Sequence, residues 1–193
     1  MVTRIAFTGT HSTGKTTLIR RIEMELRATG LKVTRTPASF AAKAAELGFP
    51  KLQKQTPQCT EWIISASAAA VAEATLNAEV VLIDRSAVDP LAYYLAALER
   101  TGQDPDQATV GRLARLVQAH ASTYDLLIAT VLDPAIPLGD HRDRDLDYRK
   151  AVDRSVHSLL NTLYLRHKRV TSADFAGNIA DTLAQHIGAQ ATS

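Results

Sequence analysis

The sequence predicts an α/β fold, a parallel sheet with helices on both faces. Three observations carry that expectation. Strand-like and helix-like runs alternate along the 193 residues. The runs Glu79–Ile83 and Asp125–Leu132 are apolar almost throughout, the pattern of strands buried on both faces. Residues 9–16, Gly-Thr-His-Ser-Thr-Gly-Lys-Thr, match G-x-x-x-x-G-K-[ST] between a strand-like and a helix-like segment.

The elements follow in order. Thr3–Thr8 alternates and is β-prone, so it reads as the first strand. Thr16–Thr29 carries Leu18, Ile19, Ile22 and Leu26 at helical spacing. Leu31–Arg35 is a second strand, ended by Thr36-Pro37, and Ala38–Leu47 is a short helix stopped by Gly48. Thr56-Pro57 opens a long helix over 57–78, with Thr56 as cap and Pro57 in the first position. Glu79–Ile83 is the third strand, and Pro90–Arg100 a helix. Asp104-Pro105 caps a further helix running to about Ser122. Asp125–Leu132 is the fourth strand, 135–146 a charged irregular loop, and Asp147–His167 a long helix with Val152, Val156, Leu159, Leu160 and Leu163 along one side. Lys168–Thr171 is a short fifth strand and Ala176–Ile187 the last helix. The whole reads as one domain over 1–193.

The octapeptide carries the chemistry. Gly9 and Gly14 allow backbone turns that side chains forbid, so the amides of residues 12–16 point inward at a helix N-terminus and form an anion nest. Lys15 reaches the β- and γ-phosphates of a nucleotide, and the Thr16 hydroxyl is placed for Mg²⁺. The nucleotide-binding set is Gly9, His11, Ser12, Thr13, Gly14, Lys15, Thr16 and Thr17.

Composition bounds the rest. Hydrophobic residues make up 46% and charged residues 22%, ordinary for a globular enzyme. A net charge of +2 argues against a large nucleic-acid footprint. A single cysteine, Cys59, excludes an internal disulfide and a thiolate zinc cluster, and reads as a packing residue. The six histidines show no metal-ligand spacing. No signal-peptide pattern opens the chain, and the longest apolar run, 62–72, is too short to span a bilayer. The expectation is a cytoplasmic protein with no membrane partner.

In parallel sheets ligands bind at the carboxyl ends of the strands, and that rule sorts the remaining candidates. Asp84-Arg85-Ser86 follows the third strand, so Asp84 takes the position of the second carboxylate on the Mg²⁺ side. Arg85 is a bidentate donor for the acceptor or its phosphate, with a surface ion pair as the plainer alternative. Asp89 is either the N-cap of the helix opening at Pro90 or a group facing the acceptor, with Tyr93 or Tyr94 lining the pocket beside it. The segment 137–150 reads as a lid, whose Arg142 and Arg149 meet the transferred phosphate; pairing among Asp140, Asp143, Asp145 and Asp147 is the alternative. Asp133 is a turn residue, and Ser172-Ala173-Asp174 is a weak adenine-side candidate. The alanine-rich helix at 62–72 packs either in the core or against a second copy in a homodimer.

On these residues the chain resembles the P-loop nucleoside and nucleotide kinase superfamily. Within it, the chain is similar to small AAA-type kinase-like ATPases related to the kinase domain of the bacterial NAD-metabolism regulator. Gly9–Thr16, Asp84-Arg85-Ser86 with Asp89 and Tyr93, and the pattern from Asp140 to Arg149 carry the resemblance across nearly the whole chain. It implies a five-stranded parallel sheet of order 2-3-1-4-5 in a three-layer P-loop NTPase fold, with ATP and Mg²⁺ as donor. One departure stands out. Relatives often carry a glutamate after the second strand, whereas here the segment is Thr36-Pro37-Ala38-Ser39-Phe40. Asp84 then becomes the candidate general base, and Ser39 a candidate acceptor contact.

The reading is an ATP-dependent phosphotransferase with a small nucleoside-, nucleotide- or metabolite-like acceptor. A regulatory ATPase without an acceptor, or a kinase of nucleic-acid ends, are the alternatives. A GTPase would carry Asn-Lys-x-Asp, and the nearest string, Asn178-Ile179-Ala180-Asp181, lacks the lysine.

Overall fold

The fold is known from a computed structural model, which describes residues 2–38, 40–50, 52–135, 145–176 and 179–191. Five parallel strands are ordered β2-β3-β1-β4-β5. They are β1 (Thr3–Thr8), β2 (Val33–Arg35), β3 (Val80–Asp84), β4 (Leu126–Thr130) and β5 (Lys168–Val170). The register sets Phe7 beside Asp84 and Thr8 beside Ala129, so the strand ends that carry chemistry finish level with one another. The sheet order is the one the resemblance implies.

The helices divide between the two faces. Helices α1 (Lys15–Ala28) and α8 (Ile179–Ala191) cover one. There Leu18, Ile19, Ile22 and Leu26 pack on Ile5, Phe7, Leu82 and Ile128, with Leu183 and Ile187 beside them. Helices α3 (Pro57–Thr75), α4 (Val88–Thr101), α5 (Gln107–Ala121) and α6 (Leu146–Thr162) cover the other. On that side Ile64, Leu91, Leu113, Tyr148 and Val156 close over Ala6, Val81, Ile83 and Ala129. Alternation along each strand feeds both layers, which is why β3 is buried at every position. The short α2 (Phe40–Glu46) packs with α3 in a separate small cluster around Ala44, Cys59 and Ile63. A 3₁₀ turn at Leu52–Lys54 and the five-residue α7 (Ser172–Ala176) complete the described elements.

Several boundaries differ from the sequence expectation, each for a local reason. Helix α4 begins at Val88 rather than Pro90. Amides in the first helical turn have no intrahelical partner, so a proline there loses nothing. Asp89 therefore lies inside the helix and is not its N-cap. The cap of α5 is Asp106, which accepts from the Ala108 and Thr109 amides, and not Asp104. Strand β2 starts at Val33; just before it, the Lys32 carbonyl accepts from the Glu79 and Val80 amides and its own amide donates to the Glu79 carboxylate. Helix α6 ends at Thr162 rather than His167: Tyr164 takes a left-handed φ of 53° and turns the chain toward β5. Ser172-Ala173-Asp174 opens α7, and α8 is a separate helix reaching Ala191, where one terminal helix from Ala176 to Ile187 was expected.

Helix α6 begins inside the expected lid. Its cap, Asp145, accepts from the Tyr148 amide at 2.8 Å, from Arg100 at 3.0 Å and from Gln53 at 2.9 Å. The Tyr148 amide, together with Arg100, holds this carboxyl below the usual carboxylate range. A depressed pKa contributes stability above the unfolded value of about 4 and loses it as pH falls through the folded value. Asp145→Ala is therefore expected to lower Tm at pH 7, with the gap to the parent protein narrowing below about pH 4. Thermal denaturation across pH 2–7 checks this.

Candidate active site

The glycine loop leaves β1 at the carboxyl edge of the sheet. Gly9 has φ 137°, and an added Cβ would stand 2.2 Å from Thr130 Oγ1 and 2.9 Å from the Thr130 carbonyl. Only glycine lets β4 approach the loop so closely. The Thr130 hydroxyl uses that approach, pairing with Thr13 Oγ1 at 2.7 Å and donating to the Thr8 carbonyl at 3.1 Å. Ser12 and Gly14 also have positive φ, 56° and 82°. Gly14 caps α1 with no side-chain hydrogen bond, and the first helical bond runs from Leu18 N to the Gly14 carbonyl. The leading amides of α1 thus lie at the positive end of the helix dipole, where an anion is favoured. That donor set fits a nucleotide's phosphates.

Lys15 is buried and folded back on the loop. Its Nζ donates to the Gly9 carbonyl at 2.7 Å, to the Thr10 carbonyl, and to Thr13 Oγ1 at 3.1 Å. These contacts hold the ammonium within the loop. Thr16 and Thr17 are exposed at the start of α1, open to the space in front of the loop.

The turn after β3 forms the second wall. Asp84 is buried at the strand's carboxyl end, and its amide donates to Thr36 Oγ1 at 3.2 Å. Arg85 takes a left-handed φ of 81°, which throws its side chain across the site. Its guanidinium lies 3.6 Å from Asp89 Oδ1 and 5.6 Å over the Tyr93 ring. Burial opposes its charge, but Tyr93, Asp89 and Asp84 outweigh that and raise its pKa. Asp89 is 1% exposed. It accepts from the Gly9 amide and from the Ser86 hydroxyl, each at 3.2 Å. Burial pushes its carboxyl pKa up, against the pull of Arg85 and Lys15. One carboxylate therefore ties the loop, the β3 turn and α4 together.

The third wall is α6. Arg149, read as part of a lid over 137–150 and of the helix expected from Asp147, lies in the helix, 2% exposed. Its Nε donates to the His11 carbonyl at 3.3 Å and its Nη2 to the Ser12 carbonyl at 2.9 Å. One turn on, Asp153 accepts from the Leu132 amide at 3.1 Å and fixes the segment following β4. Asp133, read as a turn residue, accepts from the Ala135 amide at 2.9 Å.

Beside the loop opens a cavity of about 460 Å³. Phe40, Ala41, Cys59 and Ile63 line its apolar end, and His11, Arg85, Asp89 and Tyr93 its polar end. Burial raises the Cys59 thiol, so it serves here as a small apolar surface. Gln55 crosses the floor, its Nε2 donating to Thr60 Oγ1 at 2.8 Å and to the Pro90 carbonyl at 2.7 Å. Tyr93 joins cavity and loop: its hydroxyl lies 3.2 Å from His11 Nδ1, and its carbonyl accepts from the buried Tyr148 hydroxyl at 3.1 Å.

Lys15, Asp84, Arg85, Asp89, Tyr93 and Arg149 are thus brought to one edge of the sheet. Ser39 and Arg142 lie outside the described residues. Sequence reasoning missed Thr130, Asp153 and Gln55. Thr130 sits at the end of an apolar strand, a position that marks the ligand edge; the other two gave no local signal. Tyr94 faces the core rather than the cavity, at 5% exposure.

Sheet order and loop together define a P-loop kinase-like fold. The sequence matches the AAA domain family over residues 4–177, and the chain belongs to that family. No curated protein matches it by sequence. Among solved structures, the NadR protein in complex with NR is similar at 15% identity and a TM-score of 0.70, over 97% of this chain and 52% of that one. The chain thus spans about half the length of that protein. Deoxyadenosine kinase from M. mycoides, with the products dCMP and dCDP, is similar at 13% identity and a TM-score of 0.59, over 97% of both chains. The same enzyme with bound dATP has a TM-score of 0.55 at 13% identity, covering 88% of this chain and 89% of that one. Among the described residues, no helix is long and apolar enough to cross a membrane, and no cluster of three or more His, Cys, Asp or Glu residues is arranged to hold a metal ion.

Arg149 makes charge-assisted bonds to two loop carbonyls, a contact worth about 1.5–3 kcal/mol each in typical proteins. Arg149→Ala is expected to weaken binding of a non-hydrolysable ATP analogue about tenfold or more while the fold persists. Titration calorimetry, with circular dichroism as the folding control, measures it.

Proposed function

We infer that this protein is a phosphotransferase that moves the γ-phosphoryl group of ATP to a small acceptor seated in the cavity beside the glycine loop. The observation that carries this reading is the adjacency of the two sites. The anion nest and the 460 Å³ cavity share His11 and meet across Arg85, Asp89 and Tyr93. A regulatory ATPase needs the first site but has no use for the second.

Each residue has a role in this reading. The amides of residues 12–16 hold the phosphates, and Lys15 moves from the Gly9 and Thr10 carbonyls to the β- and γ-phosphate oxygens. Thr16 and Asp84 would hold Mg²⁺, which would neutralise phosphate charge. Arg85 sits between cavity and loop and orients the acceptor's reacting end. Arg149 keeps the loop carbonyls turned away from the phosphates, so the amides remain turned toward them. We assign Arg142 to the transferred phosphate and Ser39 to the acceptor from their sequence positions alone, both lying outside the described residues. Catalysis then rests on positioning and electrostatics, as phosphoryl transfer requires.

The cavity's size and mixed lining suit a nucleoside-like molecule or another compact metabolite bearing a hydroxyl. The fold shared with two proteins that bind NR or deoxynucleotides supports that acceptor class. With MgATP and a panel of nucleosides, nucleotides and vitamin-like alcohols, ADP formation is expected to rise at least tenfold above the acceptor-free rate for one class, and to be lost in Lys15→Ala. Slow hydrolysis indifferent to every acceptor would contradict the reading.

A further inference from the structure

We propose that Gln55 selects the substrate of the cavity: its side-chain carbonyl oxygen accepts from an N–H group on the body of the molecule whose hydroxyl receives the phosphoryl group. This rests on the phosphotransferase reading and adds a specificity rule to it.

The orientation of the Gln55 amide is fixed by the chemistry of its partners. Nε2 lies 2.7 Å from the Pro90 carbonyl, which can only accept. It lies 2.8 Å from Thr60 Oγ1. That hydroxyl has a single proton and gives it to the Thr56 carbonyl at 2.9 Å, so toward Gln55 it accepts as well. Both Nε2 protons are therefore engaged, and a flipped amide would set its oxygen against two acceptors. Oε1 remains, and it accepts from nothing among the described residues. The side chain is half-buried and lines the cavity. A ligand seated there meets an atom that accepts and cannot donate.

A second polar atom on the same wall is also free. Ser67 is 6% exposed on α3 and lines the cavity, yet its hydroxyl makes no hydrogen bond among the described residues. It stands two helical turns beyond Thr60, about 10 Å along the axis, so one small group does not serve both positions. The lining between and opposite them includes Cys59, Ile63, Phe40 and Ala41, all apolar. Arg85 and Asp89, beside the glycine loop, are paired with each other. Buried polar groups in folded proteins are nearly always hydrogen-bonded, so two unfilled ones on one cavity wall mark where polar atoms of a ligand belong.

These positions describe the substrate. Its reacting hydroxyl lies toward Arg85 and the loop, its body is flat or compact and largely apolar, and an amine or amide N–H meets Gln55. A nitrogen conjugated with a ring or carbonyl donates and has no lone pair left to satisfy. A carbonyl or ring nitrogen in its place would meet Oε1 lone pair to lone pair. A C–H would leave Oε1 desolvated and unfilled, and sites built to bond an N–H reject such analogues strongly.

The test uses pairs that differ only by NH₂ against H: adenosine with purine riboside, and cytidine with zebularine. If another compound of the panel is turned over faster, it and its N–H-free analogue form the pair. The measured quantity is kcat/KM with MgATP for the parent protein, Gln55→Met and Ser67→Ala. In the parent protein the N–H member is expected to exceed its analogue about tenfold or more. Gln55→Met keeps the length of the side chain without the oxygen, and should bring the ratio to within about twofold of unity. Ser67→Ala should lower both members by a similar factor and leave the ratio unchanged. Damage to packing alone lowers both members together, so the ratio reports the hydrogen bond. If Gln55→Met does not fold, the ratio in the parent protein decides alone. A ratio near unity in the parent protein, or one that survives in Gln55→Met, overturns the proposal. So does a ratio that is lost in Ser67→Ala. If no compound raises ADP formation, the phosphotransferase reading falls and this proposal with it, so the two failures are told apart.

Discussion

The missing side chain at residue 9 is the constraint on which the site depends. At φ 137° Gly9 passes within van der Waals reach of Thr130, and a single methyl group there would collide with both the hydroxyl and the carbonyl of that residue. This closeness brings the end of β4 against the loop that follows β1. It lets Thr130 bond Thr13 and the Thr8 carbonyl. It also exposes the Gly9 amide to Asp89, the first residue of the second wall to reach the loop. Loop, β4 and α4 are therefore fixed relative to one another by contacts that begin at one glycine.

Around that point charge is arranged in pairs. Asp89 is buried and would be costly to ionise alone, but Arg85 and Lys15 stand against it. Arg85 spreads its charge onto the Tyr93 ring and Asp89. Arg149, nearly as buried, spends its donors on loop carbonyls. A buried network of paired charges such as Asp89 with Arg85 holds its members in a defined arrangement. Rigidity suits phosphoryl transfer, where the protein's contribution is to hold groups in place before the reaction starts.

Much of this was legible in the sequence. The octapeptide announced the tight turn between β1 and α1 because its glycines act locally, through backbone angles. The apolar run of β3 announced a buried strand, and with it the position of Asp84 and Arg85 at its carboxyl end. Other features depend on long-range geometry and left no local trace. Arg149 read as a lid residue facing the phosphate although it fell inside the helix expected from Asp147; its actual partners, the His11 and Ser12 carbonyls, lie 138 and 137 positions away in sequence and left no local trace. Asp153 is an ordinary helical residue until β4 brings the Leu132 amide to it, 21 positions away in sequence. Pro90 misled for a physical reason, since a proline is as acceptable in the third position of a helix as in the first.

The central claim is that the anion nest and the adjoining cavity form one site. The most direct measurement follows the destination of the γ-phosphoryl group from labelled ATP, in the presence of the acceptor that most accelerates turnover. The account predicts that the label is recovered on the acceptor, one for each ADP formed, with little released as inorganic phosphate. Label recovered as inorganic phosphate, in the same proportion with and without acceptor, would contradict it.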